Sequence, residues 1–285
     1  MSSGNPTLIR IIGATGRSGV ALSRALQARG QPTVSIIRDP AKYIFLGLKG
    51  EPNMADLADA QALAGALRGA QTIVSTAHAR HIPAILAASP ADARFVFLGS
   101  TRRFSRFPDD HGDGVRAGEA AFLASGRNGV ILHPTMIYGA EGEDNVRRLA
   151  ALMRRLPVLP LPGGGANLVQ PIHQDDLTAC LLAALDRTWS GPHSVTGAGP
   201  EAVTYADFAR AIATATGQRP PRIAALPARL LMALVPLTRL PFLPRVEADE
   251  IQRLLEDKVF PIEAMRALLG ITPRPLAEGL RMTFG

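Results

Sequence analysis

The sequence predicts an α/β protein built on a doubly wound parallel sheet, and three observations lead to this class. The chain has 285 residues, of which 47% are hydrophobic and 19% charged, which is enough to bury a large core. Its first half alternates short apolar runs with amphipathic helical patterns, the order that βαβ units produce. After residue 134 helices, prolines and glycines dominate, which predicts a small, mostly helical C-terminal lobe.

The strands of the predicted sheet are short runs rich in β-branched and aromatic residues. They cover residues 7–12, 33–37, 72–75, 94–98 and 130–132, with a weak strand at 51–54. The helix predicted at 17–29 turns Val20, Leu22, Ala25 and Leu26 inward, and a second helix is predicted at 59–67. Ligands of such sheets bind at the carboxyl ends of the strands.

The second half is predicted as a helix at 145–156, a loop at 160–165, a strand at 168–172 and a helix at 175–185. Thr204 is the expected N-cap of a helix that ends before Gly217. We expect the segment 168–185 to return to the main sheet. The predicted domains are therefore 1–135 together with 166–190, and a small lobe of 136–165 together with 191–285 that forms a substrate cleft.

Three glycines between the first strand and the first helix predict a dinucleotide site of the Rossmann type. Gly13 permits the tight turn, Gly16 lets the backbone approach a pyrophosphate, and Gly19 allows close packing of helix on strand. The helix N-terminus adds N–H donors and a positive dipole for the phosphates. The loop residues expected at the cofactor also include Thr15, Arg17 and Ser18.

The end of the second strand predicts which dinucleotide binds. A free ribose 2′-hydroxyl favours an acid at this point, whereas a 2′-phosphate favours an arginine. Arg38 occupies the position and Arg17 lies within reach, so the sequence favours NADP(H). Asp39 follows directly, and NAD is the alternative if that carboxylate binds the ribose.

Beyond the glycine loop, runs at 38–42, 56–57, 97–100, 132–139 and 170–177 occur in the order seen in short-chain dehydrogenases/reductases. The chain resembles the extended and atypical branches: the NAD-dependent epimerase/dehydratase group, NmrA-like proteins and the NADPH-binding accessory subunit of respiratory complex I. The resemblance covers nearly the whole chain, with residues 156–165 most similar to the last group. It implies fold and cofactor far more strongly than substrate.

The resemblance also implies roles for residues at the strand ends. Ser100 matches the catalytic serine of the family. The cofactor contacts that it implies are Asp56 and Leu57 at the adenine, Thr76 and Ala77 at the ribose and nicotinamide, and Pro134 and Thr135 beside the nicotinamide.

The family's Tyr-x-x-x-Lys pair is absent from this chain. The residues four positions after Tyr43, Tyr138 and Tyr205 are glycine, glycine and alanine. The helix that should carry the pair is predicted at 114–125, and alignment puts the lysine at Val115 or Arg116 and the tyrosine at His111 or Gly112. Ordinary Tyr–Lys carbonyl chemistry is therefore not expected.

Three functional hypotheses follow. The leading one is an oxidoreductase on a small carbonyl or alcohol substrate, with His111 as the acid and Ser100 or Thr101 polarising the carbonyl. The second is a protein that binds NADPH without turnover, as a sensor or assembly partner. The third is a nucleotide-sugar epimerase or dehydratase, for which the segment between Ser100 and Glu119 looks too short.

Composition narrows the partners. Of the 31 basic residues, 28 are arginine, and these are scattered with few aromatics, so nucleic acid is not an expected partner. Arg102, Arg103 and Arg106 follow Ser100 and make an anionic substrate one hypothesis. We interpret His173, Asp175 and Asp176 as a helix N-cap, and no metal site is expected.

The same composition bears on location and assembly. One cysteine leaves no disulfide framework, and no apolar run is long enough to span a membrane or to serve as a secretory signal. We therefore expect a cytoplasmic protein, a monomer or a homodimer. The segment 228–240 is interpreted as a lid over the cleft, with a membrane-surface helix as the alternative.

Overall fold

The computed structural model describes residues 8–107, 109–139, 145–156, 158–236 and 248–285. The strands of these residues are β1 (Ile9–Ile12), β2 (Thr33–Ile37), β3 (Asn53–Met54), β4 (Thr72–Ser75), β5 (Arg94–Leu98), β6 (Gly129–Pro134), β7 (Ile137–Tyr138), β8 (Val158–Pro162), β9 (Leu168–Val169), β10 (Ile172–His173), β11 (Pro192–Gly197), β12 (Val203–Thr204) and β13 (Arg222–Leu226).

The α-helices of the same residues alternate with the strands in the first half and dominate the second. They are α1 (Arg17–Ala28), α2 (Pro40–Phe45), α3 (Ala60–Leu67), α4 (Ile82–Ala88), α5 (Asp110–Ala124), α6 (Asn145–Arg155), α7 (Gln174–Asp186), α8 (Tyr205–Ala215), α9 (Ala228–Leu234), α10 (Ala248–Arg253), α11 (Glu263–Leu269) and α12 (Leu276–Phe284). None of them combines the length and apolarity needed to cross a membrane.

Seven strands form one parallel sheet in the order β3-β2-β1-β4-β5-β6-β11. The strand order reverses between β1 and β4, so a crevice opens there at the carboxyl ends. Ile9 and Ile11 pack on the same side as α1, α7 and α11, whereas Ile12 packs with α3, α4 and α5 on the other. Helices therefore cover both faces, and the predicted doubly wound α/β class is confirmed.

A second, smaller core lies beside the sheet and joins α6, α8 and α12 around buried Tyr138, Phe208 and Leu280. Short strand pairs frame it: β8 with β13, β9 with β12, and β7 with β10. Arg274 fixes its last segment to the main sheet, because Nη2 lies 3.0 Å from Oδ1 of Asp176 on α7.

The structure differs from the sequence prediction in three segments. Residues 192–197, assigned to the lobe, form β11 at the edge of the large sheet. The predicted strand at 168–172 is two short strands that pair outside that sheet, although the helix after it, α7, does pack against α1. The predicted loop at 160–165 begins as part of β8 and only then becomes a turn at Gly163–Gly165.

Candidate functional site

The loop from Gly13 to Gly19 is folded around close backbone contacts. Gly13 has φ +80°, and a Cβ there would lie 2.7 Å from the Ala77 amide nitrogen. The Gly16 N–H donates to the Gly13 carbonyl at 2.9 Å, and a Cβ on Gly19 would overlap that same carbonyl. Gly16 begins α1 without a side-chain cap, so the first N–H groups of the helix stay available to an anion.

Thr76 and Ala77, after β4, hold this loop from the side. Thr76 donates from its hydroxyl to the Gly13 carbonyl at 3.0 Å, and its N–H donates to Ile12 at 2.9 Å. Thr15 lies half-buried within the loop, and Ser18 on α1 donates to Gln174 Oε1 at 3.1 Å. The loop is therefore locked by contacts to β4 and α7.

Arg38 and Asp56 meet at the ends of β2 and β3. The Arg38 Nη1 lies 3.8 Å from Asp56 Oδ2, and both side chains are mostly exposed. Asp39 caps α2 by accepting from the Lys42 N–H at 2.9 Å. Leu57 is half-buried against the apolar core beneath. The Asp39 carboxylate, which could bind a ribose at this strand end, therefore already caps α2. The Arg38 side chain faces solvent.

One cavity of about 1080 Å³ begins at this loop and runs along the carboxyl ends of the strands. Ten of the sixteen predicted site residues line it: Gly16, Arg17, Ser18, Thr76, Ala77, Ser100, Thr101, His111, Pro134 and Thr135. The other six lie under the loop or on the open rim beside it: Gly13, Thr15, Gly19, Arg38, Asp56 and Leu57.

Ser100 and Thr101, after β5, line the cavity. Ser100 Oγ accepts from the Arg102 N–H at 3.2 Å, which leaves its own O–H free to donate. Thr101 donates to the Pro134 carbonyl at 3.1 Å, which joins the ends of β5 and β6. Ser100 is therefore the hydroxyl that can donate to a ligand oxygen at this point.

His111 and Val115 are the two residues of α5 that face the cavity at a spacing of four. Arg116 points elsewhere, because it donates to the Arg103 carbonyl and pairs with Asp113. The position that alignment gives to the family's lysine thus holds, on the cavity side, a buried valine. A tyrosine–lysine pair has no equivalent on this helix.

The imidazole of His111 packs edge-on against His78, with 4.2 Å between ring centroids. Burial and the charge of Arg102 lower the pKa of His111, although Asp109 opposes them. Burial and the neighbouring His111 lower the pKa of His78 to about 4. Both rings are therefore neutral at pH 7, and His111 is a hydrogen-bonding group there more than an acid.

The three arginines after Ser100 are held by carboxylates of the protein. Arg102 Nη2 lies 2.7 Å from Asp109, Arg103 Nε lies 2.5 Å from Glu119, and Arg106 donates to the Leu255 carbonyl at 2.7 Å beside Glu256. A clamp for an anionic substrate would have to break these contacts. All three side chains therefore already contact other parts of the protein.

Sequence reasoning did not find the buried pair of His133 and Glu119. His133 stands where the family has arginine, and its Nδ1 lies 3.1 Å from the Ser100 amide nitrogen. A Cβ on Gly99 would lie 2.6 Å from His133 Cε1, so the ring lies directly against the β5 backbone. The departure from the family motif was the available signal.

Sequence reasoning also missed the far wall of the cavity. This wall is apolar and is built by α6, β8, α9 and α10. Its residues are Leu149, Leu152, Leu156, Leu159, Leu161, Leu231, Val235, Ile251 and Leu254. Of the predicted lid, α9 forms part of this wall, while residues 237–240 lie outside the described residues.

His173 behaves as the predicted helix cap, because its Nδ1 accepts from the Asp175 N–H at 3.2 Å. Asp176 binds Arg274 instead of a metal. Within the described residues, no three potential ligands among His, Cys, Asp and Glu come together.

Comparisons with known proteins bear first on the fold. A short-chain dehydrogenase/reductase superfamily protein from Agrobacterium tumefaciens, solved with bound NAD, superimposes with a TM-score of 0.72 and 18% identity over 97% of this chain and 95% of that one. The fold is that of the short-chain dehydrogenases/reductases. The NADPH-dependent quinone oxidoreductase QOR2 of Escherichia coli (TM-score 0.74, 21% identity, 97% and 100% covered) shares it.

UDP-glucuronic acid 4-epimerase from Bacillus cereus shares it as well (TM-score 0.74, 16% identity, 98% of both chains covered). In sequence, the chain is 29% identical over 236 residues to a ceramide reductase of Caulobacter vibrioides, which covers 77% of this chain and 74% of that protein. No protein-family model matches the chain.

Proposed function

We propose that this chain is an NADP(H)-dependent oxidoreductase that acts on the carbonyl or alcohol group of a lipid-like molecule. The observation that carries the proposal is the cavity itself, which runs without a break from the glycine loop to a wall of leucines. The leucine side chains of that wall cannot form hydrogen bonds, so the polar groups of a polar substrate would lose their water without gaining partners there.

The glycine loop fits a dinucleotide, because the lack of side chains at Gly13 and Gly19 lets the loop pack closely against Ala77 and against the start of α1. This is the tight turn that a pyrophosphate site needs. The uncapped start of α1 would hold the pyrophosphate, and Thr76, Ala77, Pro134 and Thr135 would flank the nicotinamide. Bound there, a nicotinamide supplies or accepts hydride. Structural neighbours crystallised with NAD or NADPH support this assignment.

Arg38 supports NADP(H) over NAD(H). Its guanidinium is exposed at the end of β2, and the competing Asp39 carboxylate already caps α2. Asp56, the residue expected at the adenine, lies 3.8 Å from Arg38. A planar guanidinium with several N–H donors suits a 2′-phosphate better than a neutral hydroxyl.

For the substrate, the roles follow from hydrogen-bonding capacity. Ser100 donates its O–H to the substrate oxygen, Thr101 fixes the cavity wall through Pro134, and neutral His111 contacts the same oxygen. The apolar wall takes the hydrocarbon part. The ceramide reductase relative supports this substrate class, which is larger than the small carbonyl or alcohol expected from the sequence.

The experiment is a pair of measurements on the purified chain. Thermal shift with NADPH and with NADH tests the cofactor, since a ligand at 100 times its Kd stabilises by about 2.7 kcal/mol. Loss of NADPH absorbance is then followed with ketones of increasing chain length, and conversion of UDP-sugars is followed by chromatography of the products, because epimerisation consumes no net NADPH. We expect turnover to rise with chain length. Turnover of UDP-sugars alone would overturn the lipid assignment in favour of an epimerase.

A second candidate rests on Val115. Valine cannot take part in proton transfer, and it stands on the cavity side where the family has its lysine. The site would therefore suit a protein that binds NADPH as a sensor or assembly partner and catalyses no reaction. NADPH binding without turnover of any carbonyl tested would favour it over the oxidoreductase.

A further inference from the structure

Lys258 is an unusual residue in this chain. Only three lysines occur beside 28 arginines, and Lys42 and Lys49 are exposed. Lys258 is different, because its side chain is 27% exposed and lines the cavity. Unlike the many arginines, which cannot release their protons, a lysine in the cavity can act as a proton donor.

The segment 253–260 carries Lys258 across the cavity and is fixed on both sides. On one side Glu256 accepts from the Ser105 hydroxyl at 2.6 Å and from the Arg106 N–H at 3.2 Å. On the other side the Lys258 N–H donates to the Leu168 carbonyl at 2.9 Å. These anchors place the segment over the loop that follows Ser100.

The charges around Lys258 come from its own segment and from the elements packed against it. Glu256 Oε1 lies 3.9 Å from Nζ, too far for a hydrogen bond. Arg253 comes from α10, Arg102 from the turn Thr101–Phe104, and Asp109 from the cap of α5. Arg102 and Asp109 also act on His111, and His111 and Lys258 both line the cavity.

The electrostatic balance keeps this lysine ready to lose a proton. Burial lowers the pKa of Lys258 to about 8; Glu256 opposes this and Arg253 and Arg102 add to it. At neutral pH it is still charged, whereas His111 and His78 are neutral. A donor with a pKa just above the working pH is well matched to general acid catalysis.

We infer that Lys258 is the proton donor for the substrate oxygen, a role that rests on the proposed function. As the carbonyl carbon accepts hydride from a reduced nicotinamide, the C=O π pair moves onto oxygen, and a new O–H bond forms with a proton from Nζ. The N–H electron pair stays on nitrogen, which becomes a neutral amine and regains its proton from water. In alcohol oxidation the neutral amine accepts the proton.

The first test compares Lys258→Arg and Lys258→Met with the unaltered chain in NADPH oxidation by a long-chain ketone, across the pH range around 8. The unaltered chain should lose kcat above about pH 8. Both variants should lose about 100-fold or more in kcat, while their NADPH-induced thermal shifts stay unchanged. Lys258→Arg with unchanged kcat and pH profile would overturn the inference. Tyr205 also lines the cavity, and the inference would equally be overturned if Tyr205→Phe, and neither change at Lys258, removed the fall in kcat above pH 8.

A second measurement does not depend on the substrate chosen. Reductive methylation with ¹³C labels the three lysines and the α-amino group, and their few resonances can be followed by NMR against pH. The resonance that is lost in Lys258→Arg identifies Lys258, and we expect that resonance to titrate near pH 8. Its titration elsewhere contradicts the inference even in an active enzyme. A chain that binds NADPH but turns over no carbonyl would overturn the proposed function, and the donor role with it.

Discussion

His133 Nε2 lies 3.2 Å from Glu119 Oε1 in a pair that is almost completely buried. Glu119 also accepts from the Ser194 hydroxyl at 2.6 Å on β11 and pairs with Arg103. Because His133 Nδ1 accepts from the Ser100 N–H, one carboxylate on α5 sets the tautomer of the ring and thereby the start of the loop that carries Ser100.

Glu119→Gln should destabilise the fold at neutral pH by about 2 kcal/mol, because Arg103 and His133 lose a charged acceptor. Burial alone would raise the pKa of Glu119, but hydrogen bonds from His133 and Ser194 and the charge of Arg103 hold it below its ordinary value. The stabilisation is therefore present above the unfolded pKa and is lost as pH falls through the lower, folded one. The difference between the urea midpoints of the two chains should be largest at neutral pH and should shrink as the pH is lowered into the acid range.

The control for this prediction is Asp113→Asn on the same helix, where the partner Arg116 is exposed. An exposed pair contributes less than about 1 kcal/mol, so its midpoint should move little at either pH. Equal shifts of the urea midpoint for the two substitutions would mean that the buried pair stabilises the fold no more than the exposed pair does.

Gly13→Ala should abolish the NADPH-induced thermal shift. The added Cβ would lie 2.7 Å from the Ala77 amide nitrogen, and the residue has φ +80°, so the loop must change shape. Gly30→Ala is a matched control, with φ +66° but nothing within 4 Å of the added carbon. It should lose about 1 kcal/mol of stability and keep the shift. An unchanged NADPH-induced thermal shift in Gly13→Ala would show that this loop does not bind the cofactor.

Arg38→Asp should weaken NADPH about 10- to 100-fold and leave NADH nearly unchanged, since a charged hydrogen bond contributes about 1.5–3 kcal/mol. Repulsion from Asp56 should add to the loss. Isothermal titration with both dinucleotides measures the selectivity, and Arg68→Asp, exposed at the end of α3, serves as the control. Parallel losses for the two cofactors would show that Arg38 does not contact the 2′-phosphate.

Leu152→Gln should raise KM for long-chain ketones about tenfold while the NADPH thermal shift is retained. Leu152 is half-buried on the cavity side of α6, so an amide there removes apolar contact with a hydrocarbon chain. Leu123→Gln, on the exposed side of α5, is the matched change outside the cavity. An unchanged KM series would mean that the chain does not lie along this wall.

The central sheet could be predicted because its strands are continuous apolar runs, as in β4 and β5, and because glycines mark the first turn. The edge strand β11 was not predicted, because its residues alternate between polar and apolar. Strand β8 was not predicted, because its two prolines suggested a loop. Both lie at sheet edges, where solvent-facing positions and missing N–H groups are tolerated.

The site was predictable only where its parts are local or follow strand ends. Ser100 and the glycine loop satisfy that condition. Lys258 does not, because it is far from Ser100 along the chain, and the contact between Glu256 and Ser105 that holds its segment beside the Ser100 loop is not marked by any local pattern. The leucine wall comes from several separate elements, and no single periodic pattern marks it as one surface.

Gly99 and His133 also constrain how this protein can evolve. Since the imidazole fills the volume that any side chain at position 99 would need, a larger residue at position 99 requires a smaller one at position 133. The two positions should show strong epistasis: single exchanges lose expression, whereas paired exchanges that shrink one partner as the other grows survive. A saturation library built on both codons together would therefore reach sequences that stepwise selection cannot.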